Sequence, residues 1–71
     1  MKRVFVLVEG EYIPGVCSEL ESRWIDTDST TAAAEEVAAY WRGQKWARKV
    51  VVSAYGEDGQ PADVIEIEGG R

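Results

Sequence analysis

Apolar and polar residues follow one another along this chain in patterns that predict strands at both ends. Residues 3–8 are apolar at five consecutive positions and rich in β-branched side chains, which is typical of a central strand covered on both faces. Gly10 and the Ile-Pro-Gly step at residues 13–15 predict the end of this strand. Residues 23–26 predict a second extended segment with Trp24 and Ile25 on opposite faces, whereas residues 16–20 fit no single element.

A helix is predicted in the middle of the chain. Residues 26–31 are Asp, Thr and Ser, whose side-chain oxygens accept hydrogen bonds from the free amides of a first helical turn. Residues 32–41 contain no Gly or Pro and many alanines. One apolar stripe follows at helical spacing and consists of Ala34, Val37, Ala38 and Trp41. Gly43 predicts the helix end, with Arg42 beside the negative end of the helix dipole.

Two further strands are predicted at residues 46–55 and 63–68, joined by a turn at residues 56–61 whose Asp58-Gly59 step favours a hairpin. In the last strand, Ile65 and Ile67 face one way and the intervening polar positions face the other, as in a half-exposed edge strand. The predicted fold class is α+β: β-β-α-β-β, a single antiparallel sheet with one helix packed on one face. Residues 1–71 form a single domain, with residues 69–71 as a frayed tail.

That fold leaves one face of the sheet without a helix, although the first strand is apolar on both sides. Either the segment at residues 12–20 folds over this second face or another molecule covers it. A second copy is one such molecule, so a homodimer is possible. A 71-residue chain builds a marginal core, and Cys17, the only cysteine, excludes an internal disulfide. The aromatic residues, including the three tryptophans, are therefore expected in the core, and Cys17 is expected to be buried and inert.

Composition restricts the function further. The chain contains no histidine, so a Cys/His metal site is excluded, and no cofactor or metal is expected. The apolar run at residues 4–8 is too short for a secretory signal or a membrane span, and we expect a cytoplasmic protein. A net charge of −5 disfavours direct binding to nucleic acid or to an anionic membrane, because both would be repelled.

The acidic residues are sorted along the chain. Residues 9–36 hold eight acids and one base, whereas residues 42–49 hold four bases and no acid. Four pairs of acids lie one residue apart, a spacing that puts both carboxylates of a strand on one face about 6.7 Å apart, like phosphates along a nucleic-acid strand. We therefore predict binding of a basic protein or nucleoprotein partner. The candidate partner-binding residues are Glu9, Glu11, Glu19, Glu21, Asp26, Asp28, Glu35, Glu36, Glu66 and Glu68.

Other interpretations of these residues stay open. Any single acid pair is also explained by the polar face of an amphipathic strand, and acids before a helix stabilise it without any partner. The bases at residues 42–49 alternate with Trp41 and Trp46 in a pattern that also occurs in single-strand binding proteins, but helix termination and pairing with acids explain them better. Catalysis finds little support, since no histidine is available to activate Cys17 and a small domain has little room for a pocket. A non-enzymatic protein is expected.

The strand at residues 3–8, the Thr-Thr-Ala-Ala-Ala-Glu-Glu-Val segment at residues 30–37 and the Val-Ile-Glu-Ile-Glu strand at residues 64–68 together resemble the small acidic anti-CRISPR proteins of bacteriophages. The resemblance lies in size, acidity and strand-helix order. It implies an inhibitor that docks on a CRISPR effector complex in the host bacterial cytoplasm and blocks its basic DNA-binding surface, in some cases as a DNA mimic. No individual residue is transferred by this resemblance.

Residues 1–42 are also similar to the HicB type of antitoxin. The similarity consists of a short strand, the Pro-Gly-Val-Cys segment at residues 14–17, and an Asp-Ser-Thr-Thr start to an Ala/Glu-rich helix. The chain departs from that type in the valine between Pro-Gly and Cys and in the lack of a C-terminal DNA-binding domain. This second resemblance implies an acidic antitoxin that neutralises a basic ribonuclease toxin.

Overall fold

The computed structural model of the chain describes residues 2–44 and 48–68, with Tyr12 described by its backbone alone. Its elements are β1 (Arg3–Ile13), β2 (Val16–Asp26), α1 (Thr30–Arg42), β3 (Lys49–Tyr55) and β4 (Pro61–Glu68). The strands form one antiparallel sheet in the order β2-β1-β3-β4, so β1 and β3 are central and β2 and β4 are edges. The predicted α+β class and element order are confirmed.

The hydrophobic core lies between α1 and one face of the sheet. Alternate residues of each central strand point to the helix because successive strand side chains face opposite ways. The buried core consists of Val4, Val6 and Val8 of β1, Ile25 of β2, Val50, Val52 and Ala54 of β3, and Ala33, Ala34, Val37, Ala38 and Trp41 of α1. The small alanines let the helix lie close to the sheet. The helix contacts β4, β3 and β1, so β2 extends beyond the area that it covers.

Side-chain hydrogen bonds fix both the start and the position of α1. The Ser29 side chain accepts a hydrogen bond from the Ala32 backbone N–H at 3.1 Å, which satisfies one of the free amides of the first turn. The hydroxyls of Thr30 and Thr31 both donate to the carboxylate of Asp63 in β4. These contacts tie the helix start to an edge strand 32 and 33 residues away in sequence. The last turn ends at Gly43, as predicted.

Replacing Ser29 with alanine is expected to lower the free energy of unfolding by about 1 kcal/mol, because the Ala32 amide loses its cap. In a domain of this size that corresponds to a melting temperature lower by about 4–8 °C. Thermal unfolding followed by circular dichroism measures the change. The matched control is Ser22→Ala on the exposed surface of β2, which should shift the melting temperature little. Equal shifts in the two variants would contradict the capping role of Ser29.

The β1–β2 hairpin is longer than the sequence predicts. Gly10 does not end β1 but lies buried within it, and residues 16–20 belong to β2. A Cβ atom at position 10 would lie 2.6 Å from Cδ1 of Leu20, so the glycine makes room for that side chain. The register shifts here: Val8 is opposite Glu21 and Glu9 is opposite Glu19, which leaves Leu20 as the extra residue of a β-bulge.

Three expectations about burial are wrong. Tyr40 is 56% exposed because it lies on the outer surface of α1. Trp24 is 56% exposed because it lies on the face of the sheet that α1 does not cover. Cys17 is exposed because it lies in the distal half of the hairpin, away from the helix. Trp41 is buried as expected. The predictions for Trp46, for the start of the third strand at that residue and for the frayed tail at residues 69–71 lie outside the described residues.

The second face of the sheet is open. Residues 12–20 do not fold over it, because they form the distal end of the hairpin and its turn, where Gly15 has a φ of +84°. Within residues 2–44 and 48–68, no helix or strand lies on this side. We call this surface the open face.

Candidate partner-binding face

The open face has two chemically different ends. The strand register aligns alternate residues of β1 with neighbours on the other strands. At one end most of these positions are carboxylates, with Lys49 and Cys17 among them. We call these carboxylates the acidic end: Glu9, Glu11, Glu19, Glu66 and Glu68. At the other end they are rings, which we call the aromatic row: Phe5, Trp24 and Tyr55. The apolar residues between the two ends are Leu7, Val51 and Val64.

The acidic end contains carboxylates without a compensating charge. Glu9 lies directly opposite Glu19 across β1 and β2, an arrangement of like charges that costs the fold stability. Among the described residues, no ion pair engages Glu9, Glu19 or Glu68. Lys49 Nζ lies 3.5 Å from Glu66 Oε1, an exposed pair that contributes little. Charge that the fold leaves unpaired here is available to a cationic partner.

Glu11 is partly engaged by the hairpin itself. Its Oε2 atom accepts a hydrogen bond from the Gly15 backbone N–H at 2.6 Å, which stabilises the turn between β1 and β2. Lys49 is its cross-strand neighbour on β3. This carboxylate therefore supports the local structure of the acidic end as well as its charge.

The ten acids proposed from the sequence do not form one continuous patch. Glu21 and Glu19 lie on opposite faces of β2, because the bulge at Leu20 inserts one residue into the alternation. Glu21 Oε2 instead accepts from Arg23 Nε at 2.8 Å on the helix side of the sheet. The spacing of these two acids in the sequence predicts that they share a face of the strand, but the bulge places them on opposite faces.

The other four acids lie away from the acidic end. Asp26 is at the far end of β2 opposite Arg3, and Asp28 lies in the connection that leads into α1. Glu35 and Glu36 lie on the exposed surface of α1. Glu35 Oε1 is 3.4 Å from Arg42 Nη1. The structure thus brings together half of the predicted partner-binding residues and distributes the rest over other surfaces.

The aromatic row runs across three neighbouring strands. Phe5 on β1 lies between the other two rings, with centroid distances of 5.2 Å to Trp24 and 6.0 Å to Tyr55 and tilted planes. The Arg3 guanidinium carbon lies 5.4 Å from the centroid of the Trp24 ring, a cation–π contact. The row was not predicted as a site. Its signal in the sequence was the apolar second face of β1, which residues 12–20 or another molecule were expected to cover.

A cleft of about 800 Å³ opens beside the aromatic row at this end of the sheet, so the expectation that a domain of this size has little room for a pocket is wrong. Asp28, Glu57 and Lys2 line it together with the three rings. Lys2 Nζ lies 2.7 Å from Glu57 Oε2, and the hydrogen bond between them lowers the pKa of Glu57 and raises the pKa of Lys2. Asp28 also raises the pKa of Lys2. The cleft thus places an ammonium group between its carboxylates.

The pKa directions define when this ion pair is present. The stabilisation that ionised Glu57 gives to the ion pair is fully present above its ordinary pKa of 4.5. This stabilisation is lost as the pH falls through the lowered folded-state pKa of Glu57. The stabilisation that protonated Lys2 gives to the ion pair is fully present below its ordinary pKa of 10.5. This stabilisation is lost as the pH rises through the raised folded-state pKa of Lys2. Both groups are fully exposed, so the pair orients the rim of the cleft more than it stabilises the fold.

Two bases of the basic segment pair with acids, whereas Arg48 is exposed and donates its backbone N–H to the Glu11 carbonyl at 2.8 Å. Arg42 contacts Glu35, Lys49 contacts Glu66, and Trp41 is buried in the core. Lys45 and Trp46 lie outside the described residues. No group of His, Cys, Asp and Glu in residues 2–44 and 48–68 has an arrangement that would hold a metal ion.

Comparison of the chain with protein-family models, with curated proteins and with solved structures finds no match. No helix within the described ranges has the length and apolar character needed to cross a membrane. The fold and the site together define an α+β protein with a helix on one face of a four-stranded sheet and an open face that is acidic at one end and aromatic at the other.

Proposed function

We propose that this chain is a non-enzymatic inhibitor that binds the basic nucleic-acid-binding surface of another protein through the acidic end of the open face. One observation carries the proposal: three of the four strands, β1, β2 and β4, place carboxylates on a surface that no described element of the fold covers. A functional role accounts for the opposed Glu9 and Glu19, which a purely structural role does not.

Electrostatics favours a cationic partner in two ways. The net charge of −5 attracts a basic surface at long range and raises the rate of encounter. At short range, carboxylates two residues apart on β1 and on β4 present rows of negative charge with a spacing of about 6.7 Å, which suits a groove that binds phosphates. The open face is therefore suited to compete with nucleic acid for such a groove.

The partner class follows from the resemblance to small acidic anti-CRISPR proteins. In that case the chain acts in the cytoplasm of the host bacterium, binds a CRISPR effector complex and excludes target DNA from its groove. The alternative is an acidic antitoxin bound to a basic ribonuclease toxin. Both functions place the acidic end against lysine and arginine side chains, and neither requires a cofactor or a catalytic residue.

Competition with DNA tests the proposal. A fluorescently labelled target DNA is bound to the purified, guide-loaded CRISPR effector of the native host, and the protein is added in increasing amounts while anisotropy is measured. We expect the DNA to be displaced, and we expect higher salt to weaken the protein–effector complex as the screening length falls from about 8 Å at physiological ionic strength to about 3 Å at 1 M. DNA that stays bound at a saturating concentration of the protein would overturn the CRISPR assignment.

The same protein preparation distinguishes the alternative. Cleavage of RNA by a purified ribonuclease toxin from the native host is followed with and without the protein. Inhibition of cleavage, with no displacement of DNA from the effector, would assign the chain to the antitoxin class. Inhibition in neither assay would contradict both partner classes.

A further inference from the structure

The aromatic row presents apolar surface that the fold does not use. Trp24 is 56% exposed, although burying an indole of this size against a partner contributes more to binding than burial of most other side chains. Phe5 packs against one side of the ring and is itself flanked by Tyr55, and Arg3 makes a cation–π contact with the indole. A rigid, half-exposed tryptophan on a sheet is the kind of residue that dominates the energetics of protein interfaces.

The row is continuous with the acidic end. Leu7 is the next residue on the same face of β1 after Phe5, and Glu9 follows Leu7. Val51 on β3 lies opposite Glu9, and Val64 on β4 lies opposite Ser53. The open face is therefore one surface with an apolar part and a charged part rather than two isolated patches.

The size of the open face indicates that one partner covers both parts. At about 3.4 Å per residue and about 4.8 Å between strands, the four strands present a projected area of about 600 Å². A standard interface takes about 800 Å² from each partner. The acidic end alone supplies less than half of that area, so a partner that binds it with useful affinity also reaches the rings.

A second copy fits this face poorly. Two copies can stack face to face with their aromatic rows superimposed in two ways. In the first arrangement the two acidic ends also lie against each other, and in the second only about half of each open face overlaps. The first arrangement is disfavoured by repulsion between chains of net charge −5, and the second buries an area typical of crystal contacts. A head-to-tail stack, with the aromatic row of each copy on the acidic end of the other, would bury unpaired carboxylates against rings, which is costly. A cationic protein surface with an apolar part beside it complements both ends.

We propose that the aromatic row is the apolar anchor of the partner interface, so that the protein which binds the acidic end also buries the Trp24 indole. This inference rests on the proposed function. It assigns different roles to the two ends: the acidic end accelerates association and responds to salt, whereas the aromatic row slows dissociation.

Binding kinetics separate these roles. The guide-loaded effector, or the ribonuclease toxin if that assay is the positive one, is immobilised as the probe, and association and dissociation rates are measured. Trp24→Ala is expected to raise the dissociation rate by about 30-fold or more, with little change in the association rate or in the salt dependence. The matched control is Tyr40→Ala, which removes a ring of the same 56% exposure from the helix and should leave both rates unchanged.

A second measurement does not depend on how the variant folds. The wild-type protein is labelled with 5-fluorotryptophan, and the Trp24 signal is assigned from Trp24→Phe. Binding of the probe should shift that signal and remove its response to exchange of H2O for D2O, whereas the buried Trp41 signal should change little.

The outcomes distinguish the two proposals. If the wild-type protein binds neither probe, the proposed function fails and this inference fails with it. If reversal of acidic-end charges weakens binding while Trp24→Ala dissociates at the wild-type rate and the Trp24 signal stays unchanged, the proposed function stands and the anchor is overturned. Sedimentation equilibrium that shows a dimer of the free protein, dissociated by Trp24→Ala, would likewise overturn it and assign the row to self-association.

Discussion

Replacing Trp41 with alanine is expected to lower the free energy of unfolding by about 3–5 kcal/mol, the largest loss that a single substitution in this core produces. Trp41 is 5% exposed and is the largest side chain of the buried cluster. A domain of 71 residues has a total stability of only about 4–11 kcal/mol, so the variant loses a large part of it. Urea unfolding followed by far-UV circular dichroism measures the change as a lower midpoint.

The neighbouring Tyr40 supplies the control for this prediction. Its ring lies 5.3 Å from that of Trp41 in an edge-to-face arrangement but is 56% exposed. Tyr40→Ala should therefore cost about 1 kcal/mol or less. A Trp41→Ala variant that unfolds at the same urea concentration as Tyr40→Ala would show that the helix is held to the sheet by other contacts.

Reversal of two charges at the acidic end is expected to weaken partner binding by about 100-fold, since close interfacial charges contribute at least about 1.4 kcal/mol each. The variant is Glu9→Lys/Glu19→Lys, which replaces one like-charged cross-strand pair between β1 and β2 with another. Its fold should therefore be about as stable as that of the wild type. Titration with the purified effector or toxin measures the affinity, and thermal unfolding checks the fold.

The chain offers a control of identical charge. Glu35→Lys/Glu36→Lys places the same two reversals on the exposed surface of α1. Each Glu→Lys substitution adds two charge units, so both double variants change the net charge from −5 to −1. The helix variant should lose only the long-range part of the attraction. Equal losses of affinity in the two variants would mean that total charge, rather than the open face, determines binding.

Much of the fold could be predicted from local pattern because each element has a local physical signal. The helix end at Gly43 and the alternation of Ile65 and Ile67 in the edge strand are properties of short segments, and the structure confirms both. The sequence also indicated that the helix covers only one face of the sheet, but it left open whether residues 12–20 cover the other face.

The β1–β2 hairpin could not be predicted in the same way, because its length depends on a contact between two strands. In the sequence of β1 alone, a glycine at position 10 indicates a weak or interrupted strand. The structure shows that Leu20 of the neighbouring strand β2 occupies the space that a side chain at position 10 would need. The bulge that Leu20 forms also decides which of the acids at positions 19 and 21 reaches the open face. The expectation that Glu19 and Glu21 share a face was therefore wrong, since it assumed uninterrupted alternation through this strand.

The exposure of Trp24 and Cys17 shows a related limit of predicting burial from the sequence. A tryptophan in a small domain is expected inside, but its burial depends on whether a second layer covers its face of the sheet. Here the second layer exists on one side only, within the described residues. Propensity and pattern predict which residues share a face, whereas the number of layers decides which face is buried.

Carboxyl footprinting of the complex tests the central claim most directly. The free protein and its complex with the purified effector or toxin are treated with a carbodiimide and glycine ethyl ester, and the labelling of each acidic residue is measured by mass spectrometry. We expect binding to protect Glu9, Glu19 and Glu68 strongly and to leave Glu36 on the helix surface labelled as in the free protein. Protection of Glu36 with unchanged labelling of Glu9 and Glu19 would contradict the assignment of the open face as the binding surface.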